Sequence, residues 1–580
     1  MNKLLHFLKN YKKESVISPL FKLLEATLEL FVPLVMARII DQGIARSDEP
    51  YILKMFALLV LLALVGLVCS ITAQYFAAKA AVGFAQEVRH ALFAHIQSLS
   101  YAKLDEVGSG TMITRMTSDI NQAQNGVNMV LRLFLRSPFI VLGAMIMSFT
   151  IDARCALIFA VAIPILSVVV FGIMFWTIPL YRRVQTALER VLGITRENLT
   201  GSRVIRAFNR EKHEIDKFEE ANDTLTRLQL YVGKISALTN PVTYVIVNLA
   251  LLLLLWTGAF RVDVGGITQG ELVALVNYMS QILVELVKLA NLIITITKAI
   301  ACGNRIQQVF EMQSDMEDGS VDIHEVSKDG EYVVEFEHVS MRYHGAGEDA
   351  LTDIDFRVRP GETIGIIGGT GSGKSSVINL IPRFYEAAAG CVKLYGRDVR
   401  EYRLKELRRY IGIVPQKAVL FQGTIRSNLA LGKEDATEEE MYRALGIAQA
   451  EEIVRKKEGA LDAPVEQNGR NFSGGQKQRL TIARAVVKNP DILILDDSAS
   501  ALDYATDAKL RQALAGMESK PVVFLVSQRA ASIMHADQIL VLEDGAVVGK
   551  GTHQTLLEQC EVYQEIYYSQ FRKEEVTQNG

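Results

Sequence analysis

Hydrophobic residues in the first 300 positions gather into six long runs, near 16–42, 52–82, 128–151, 155–180, 239–262 and 270–300. A helix that crosses a bilayer needs about 20 mostly apolar residues in a row, and Phe56–Cys69, Ala156–Ile178 and Leu249–Trp256 are almost unbroken. The first and sixth runs also carry charges. A buried soluble helix explains one such run but not six in succession, so the pattern predicts a helical membrane domain. Short loops follow the first, third and fifth runs (Gly43–Pro50, Asp152–Arg154, Asp263–Gln269), whereas the connections after the second and fourth are long and helical in pattern. Lys12, Lys13, Arg182 and Arg183 lie close to the span ends on the long-connection side. Basic residues favour the cytoplasmic face, which puts the N-terminus and both long connections inside.

Beyond position 300 the pattern changes. Residues 312–333 are polar and acidic, as a linker is. Then short β-rich runs alternate with helical ones: Glu362–Ile367, Ser375–Tyr385, Ile492–Asp497 and Val522–Val526. That alternation predicts an α/β domain with a largely parallel sheet. The expected organisation is a membrane domain over 1–310, a linker over 311–333, an α/β domain over 334–572 and a tail over 573–580.

Composition refines this picture in three places. A length of 580 residues suggests about four domains at ordinary domain size, but six spans with their extensions form one unit, leaving two. The mean hydropathy of +0.19 averages an apolar half with a polar one. With 62 Lys and Arg against 65 Asp and Glu, the net charge of −3 excludes a general nucleic-acid binder. Cys69, Cys155, Cys302, Cys391 and Cys560 are scattered without C-x-x-C spacing, which supports neither a disulfide framework nor a zinc site. No small-residue cleavage site follows the basic N-terminus, so the first run reads as a retained helix.

The chemistry lies in the second half. Gly368-Gly369-Thr370-Gly371-Ser372-Gly373-Lys374-Ser375, continued by Ser376, fits the phosphate-binding loop G-x-x-x-x-G-K-[ST] between a strand-like and a helix-like run. Its glycines let backbone N–H groups face phosphates, and the following helix adds its positive end. Lys374 would reach the β- and γ-phosphates, and the Ser375 hydroxyl would ligate Mg²⁺. Downstream, Ile492–Leu495 is an apolar strand ending in Asp496, the expected carboxylate partner of that metal.

Between the two lies Phe472-Ser473-Gly474-Gly475-Gln476. With these pieces in order, the chain resembles the ATP-binding cassette (ABC) transporters, specifically exporters with six membrane helices fused to one nucleotide-binding domain. The resemblance implies ATP and Mg²⁺ as cofactors, with Tyr343 stacking on adenine and Gln416 sensing Mg²⁺. It makes Ser473, Gly474, Gly475 and Gln476 the signature loop that contacts ATP held by an opposite subunit. Ser500–Asp503 is similar to the loop that communicates between two sites, with Asp503 at its end. Gly110–Arg115 with Asp119, and Arg203–Glu211, resemble the family's cytoplasmic extensions, near which short coupling helices are expected.

Two positions depart from the family. The glutamate that polarises the attacking water is replaced by Asp497, and the histidine that follows the next strand by Gln528. Aspartate withdraws the base by roughly an ångström, and misplacement on that scale costs about a hundredfold in rate. Glutamine can hydrogen-bond but cannot carry a proton as imidazolium. His535, seven residues further on, reads as a surface residue. Both changes strike hydrolysis and spare ATP binding. The resemblance therefore implies the degenerate-site half of a heterodimer: this chain's own site binds ATP and turns it over slowly, while its signature loop completes the partner's site. The implied partner is a second half-transporter with Glu and His at these positions and an altered signature loop. A homodimeric exporter, or a nucleotide-gated regulatory subunit, are the competing readings.

For the cargo, Asn277, Gln281, Glu285 and Lys288 form one polar stripe on the sixth span, and Ser18, Lys22, Glu25 and Glu29 another on the first. They read either as ion pairs between or along helices or as the lining of a cavity, with Glu25, Glu29 and Glu285 favouring cationic amphiphiles. The expectation is export of a small amphipathic molecule through a bacterial cytoplasmic membrane.

Overall fold

The computed structural model describes residues 3–571 apart from Ile323, Glu325 and Asp329. The expected tail at 573–580 and residue 572 lie outside the described residues. The chain divides into two compact units, Met1–Gln97 with Gly110–Met312, and Ser98–Ser109 with Gln313–Gly580.

The first unit is all helix. Among the described residues, five helical stretches are long and apolar enough to cross a membrane: Glu49–Ser98, Ser109–Ile151, Ala153–Thr200, Glu211–Asp263 and Gln269–Glu311. The run near 16–42 also forms a helix, Lys12–Arg38, but it carries too much charge to meet the same standard. Its charge is compensated locally, because the buried Lys22 ammonium lies 2.6 Å from Glu25. The helices after the second and fourth runs continue well beyond the apolar stretch, to Ser98 and Thr200, because polar good helix formers extend the pattern without a breaker.

Loop ends are fixed by side-chain caps, since the first N–H groups of a helix have no partner within it. Asp152 caps Ala153–Thr200, accepting from the N–H groups of Arg154 and Cys155, and also takes two bonds from Arg261 at 3.0 and 2.6 Å. Thr268 and Glu271 form a reciprocal capping box at Gln269–Glu311. Asp41 accepts from Thr268 Oγ1 at 2.5 Å and from the Gly270 N–H at 2.8 Å, which ties the first helix to the sixth.

The second unit contains a six-stranded sheet in the order Ala546–Gly551, Gln538–Glu543, Thr363–Gly368, Val522–Val526, Ile492–Asp496, Ile411–Val414. All pairings except the first are parallel. Every residue of Ile492–Asp496 and Val522–Val526 is buried, which is why these strands read as unbroken apolar runs rather than alternating ones. The register sets Val526 beside both Asp496 and Ile366. The carboxyl ends of three neighbouring strands therefore meet at one edge, the place where open α/β sheets bind ligands. A smaller antiparallel sheet carries Val334–Met341 and Leu351–Val358.

Two short helices interrupt the long ones at the expected regions, Tyr101–Val107 and Ser202–Ala207. The first groups with the second unit, where the Tyr101 ring lies 4.5 Å from that of Phe384 and the Tyr385 hydroxyl donates to Asp105. The expected linker touches this unit at Val321, which bridges Tyr402 and whose N–H donates to the Glu401 carbonyl at 3.0 Å.

Candidate functional site

The phosphate-loop backbone turns where only glycine does so without strain, at Gly371 (φ 87°) and Gly373 (φ 93°). The helix Lys374–Leu380 starts immediately afterwards. Lys374 Nζ folds back to donate to the carbonyls of Gly368 at 2.9 Å and Gly369 at 2.5 Å. The Ser375 hydroxyl donates to the Asp496 carboxylate, 3.0 Å from Oδ2. A cavity of about 180 Å³ at this edge is lined by Thr370, Gly371, Lys374, Ser375, Gln416, Asp496, Asp497, Val526, Ser527 and Gln528. Four segments widely separated along the chain thus supply one pocket.

Its electrostatics are those of a site made for a charged ligand. Burial lowers the Lys374 ammonium below its ordinary range, against the pull of Asp497 and Asp496. Burial also raises Asp496, opposed by the Ser375 hydrogen bond and reinforced by Asp497. Each group pays desolvation that its neighbours only partly return, so a polyphosphate with a divalent cation would relieve both at once. The residues present fit Mg²⁺ with ATP: Ser375 and Asp496 offer hard oxygen donors, joined by Gln416, and the loop amides with Lys374 would hold the phosphates.

Asp497 adopts a left-handed conformation, φ 46°. Its N–H donates to the Val526 carbonyl at 3.0 Å, and its own carbonyl accepts from the Ser500 N–H at 3.2 Å and hydroxyl at 2.8 Å. Aspartate is among the few non-glycine residues that visit this region readily. Gln528 lines the cavity; His535 is exposed and lines a separate cleft with Arg511 and Lys520, so it does not replace the missing histidine.

Other expected residues stand around the pocket rather than in it. The Tyr343 hydroxyl is 2.9 Å from Ser376 Oγ, and its ring meets Tyr385 edge-on at 5.2 Å. Ser473 and Gln476 form the capping box of Gly474–Val486; Ser473 and Gly474 are exposed and face outward, while Gly475 lies against the Ala501 carbonyl. Phe472 is buried under Lys457, whose Nζ lies 4.2 Å from its ring centroid, and fills a core position. Asp503 caps Tyr504–Ala515, taking the Thr506 N–H at 2.9 Å and hydroxyl at 2.8 Å, and those bonds hold its carboxyl below the usual range. Val526 and Ser527 are lining residues that motif reasoning passed over, although they adjoin Gln528.

In the first unit, Glu29, Asn277, Gln281, Glu285 and Lys288 line a cavity of about 560 Å³. Glu25 is not among the lining residues. Each of the carboxylates Glu25, Glu29 and Glu285 already has a cation, as the ion-pair reading of the two stripes expects. Arg136 lies 2.7 Å from both Glu29 and Glu285, Lys288 lies 2.8 Å from Glu285, and Lys22 holds Glu25. Ser137 donates to the second Glu285 oxygen at 2.8 Å. Lys288 on the lining and Arg136 beside it offset Glu29 and Glu285, and among the described residues the buried Gln281 Oε1 has no hydrogen-bond partner. Outside the cavity, buried Asp119 accepts from Arg115 and Arg305 at 2.8 and 2.5 Å.

A helical unit with membrane-length apolar helices and a P-loop α/β unit whose Ser473–Gln476 loop faces outward define an ABC-type transport ATPase. Residues 15–286 match the ABC transporter transmembrane region and residues 351–500 the family described as ABC transporter. An uncharacterized ABC transporter ATP-binding protein of Bacillus subtilis (strain 168) is 37% identical over 575 residues, covering 99% of both chains. The chain belongs to the ABC transporter family. An ATP-dependent lipid A-core flippase of Yersinia pestis bv. Antiqua is 28% identical over 566 residues, 97% of this chain and 96% of that one. A bacterial Atm1-family ABC exporter solved with ATP bound shares the fold, with TM-score 0.79 at 22% identity over 96% of this chain and 98% of the other.

Proposed function

We propose that this chain is one half of an asymmetric ATP-driven exporter, in which its own Walker site binds Mg²⁺-ATP and hydrolyses it slowly. The observation that carries this reading is the company Asp497 and Gln528 keep. Both line the cavity made by Thr370, Gly371, Lys374, Ser375, Gln416 and Asp496. The binding groups are complete, and only the two positions that would activate water are changed. Mg²⁺ would supply charge neutralisation at the transferred phosphoryl group. Lys374 and the loop amides would hold the phosphates, Ser375, Gln416 and Asp496 would hold the metal, and Tyr343 would face the adenine. Asp497, too short by a methylene, would leave the attacking water poorly placed.

The outward-facing Ser473–Gln476 loop would complete the site of a second half-transporter that has Glu and His at the two changed positions. Residues 1–310 would form the membrane domain, with the N-terminus and the ATPase domain cytoplasmic, and residues 334–572 the nucleotide-binding domain. The cargo would be a small amphipathic molecule entering the cavity beside Glu285 and Gln281. With Glu29 and Glu285 of the lining already paired to Arg136 and Lys288, the cavity favours neutral or zwitterionic cargo over simple cations.

The test is to express the chain with its partner and neutralise each acid in turn. Asp497→Asn should leave most steady-state ATPase activity, whereas the matching Glu→Gln in the partner should remove nearly all of it. Equal losses would contradict the asymmetric reading.

A further inference from the structure

The C-terminal helix Glu561–Gln570 ends on a side chain outside every nucleotide motif. Gln570 spends both ends of its carboxamide on one loop. Its Nε2 donates to the Gln528 carbonyl at 2.8 Å, and its Oε1 accepts from the Ala530 N–H at 2.8 Å. The helix that carries it is well anchored: Tyr563 and Tyr567 are buried, the Tyr563 hydroxyl is 2.7 Å from His553 Nδ1, and Tyr567 stacks on Phe571 with centroids 4.7 Å apart.

The residue between the two clamped groups extends the contact. Arg529 donates to the carbonyls of Leu502 at 3.2 Å and Ser500 at 3.1 Å, and its guanidinium lies 5.2 Å from the Tyr504 ring centroid. Ser527 Oγ accepts from the Arg529 N–H at 3.0 Å. A single hydrogen bond would let the loop swivel. Two bonds from one planar amide, on either side of Arg529, fix its rotation as well as its distance, while Arg529 ties it to the turn before Asp503.

We infer that Gln570 is a positioning residue, which clamps the 528–530 backbone so that the Gln528 side chain is held in the phosphate cavity and this site prefers ATP over ADP. The inference rests on the proposed reading of Gln528 as the residue facing the γ-phosphate. ADP lacks that phosphate, so loosening the loop costs ATP affinity selectively.

The experiment is displacement of a fluorescent ATP analogue from the purified full-length chain, by ATP and by ADP in turn, with Mg²⁺ present. Gln570→Ala should lower the ATP-over-ADP preference about fivefold, the size of one ordinary hydrogen bond, with ADP affinity unchanged. Gln570→Glu keeps the acceptor but sets a carboxylate against the Gln528 carbonyl, and should lower the preference at least as far. Gln528→Ala should cause a fall of similar size, and the Gln528→Ala/Gln570→Ala double variant should fall no further, because the two act as one unit. A merely structural helix contact would instead weaken ATP and ADP alike, and that result would overturn the inference. So would additive losses in the double variant. If Gln528→Ala lowers the preference and Gln570→Ala does not, the clamp is wrong and the reading of Gln528 stands. If neither lowers it, the reading of Gln528 falls and the clamp with it.

Discussion

Asp497→Glu combined with Gln528→His should raise ATP turnover at this chain's own Walker site by about two orders of magnitude, measured as single-turnover hydrolysis. The extra methylene returns a carboxylate to the distance from which it can order water, and misplacement by about an ångström is worth about a hundredfold. The imidazole restores a group that can hydrogen-bond the γ-phosphate and carry charge as it does so. Neither single change should suffice, because base and clamp act on the same water and phosphate and their effects are not additive. The gain has a cost elsewhere. Asp497 sits at φ 46°, a conformation that glutamate tolerates less well, so the double variant should be slightly less stable even as it becomes more active. A double variant as slow as the parent would place the defect outside these two residues.

The second large effect is expected in the membrane unit. Glu285 is almost completely buried, with 3% of its side chain exposed, and it accepts from Arg136, Ser137 and Lys288. Glu285→Ala takes from the buried Arg136 its buried partner and leaves it the more exposed Glu29, and removing one member of a buried pair typically costs about 3–5 kcal/mol. The loss should appear as a lower unfolding temperature in detergent. Replacing Glu285 and Arg136 together by Leu and Met should recover most of it, since a well-packed apolar pair can match a buried ionic one. Equal destabilisation by the single and double variants would mean that the site depends on shape rather than charge compensation.

These two sites also mark how far sequence reasoning reached. The pocket was legible because its parts are short, local and ordered: a glycine loop must turn, an apolar strand must end, and a carboxylate follows. What remained hidden was long-range pairing. The register of Val526 beside Asp496 brings Gln528 to the phosphate edge, and nothing near position 528 announces it without the family pattern. Gln570 lies 42 residues from the loop it clamps, as an ordinary amide at a helix end. Glu25, Glu29 and Glu285 look alike as acids on polar helix stripes, yet Arg136, 149 positions from Glu285, neutralises that carboxylate and also holds Glu29. A periodicity argument places a residue on a face and is silent about which cation crosses from another helix. In the first membrane run, too, charge is read without its partner. Its charge makes Lys12–Arg38 fall short of a membrane span by composition, although Lys22 and Glu25 are already paired within it.

The central claim is that this chain's Walker site holds ATP without promptly cleaving it. The most direct measurement loads the purified full-length chain with α-labelled ATP and Mg²⁺, removes free nucleotide, quenches at intervals and identifies what remains bound. Bound nucleotide should stay predominantly ATP over many minutes and become ADP quickly only in the Asp497→Glu/Gln528→His variant. Conversion of bound ATP to ADP within seconds in the unaltered chain would contradict it.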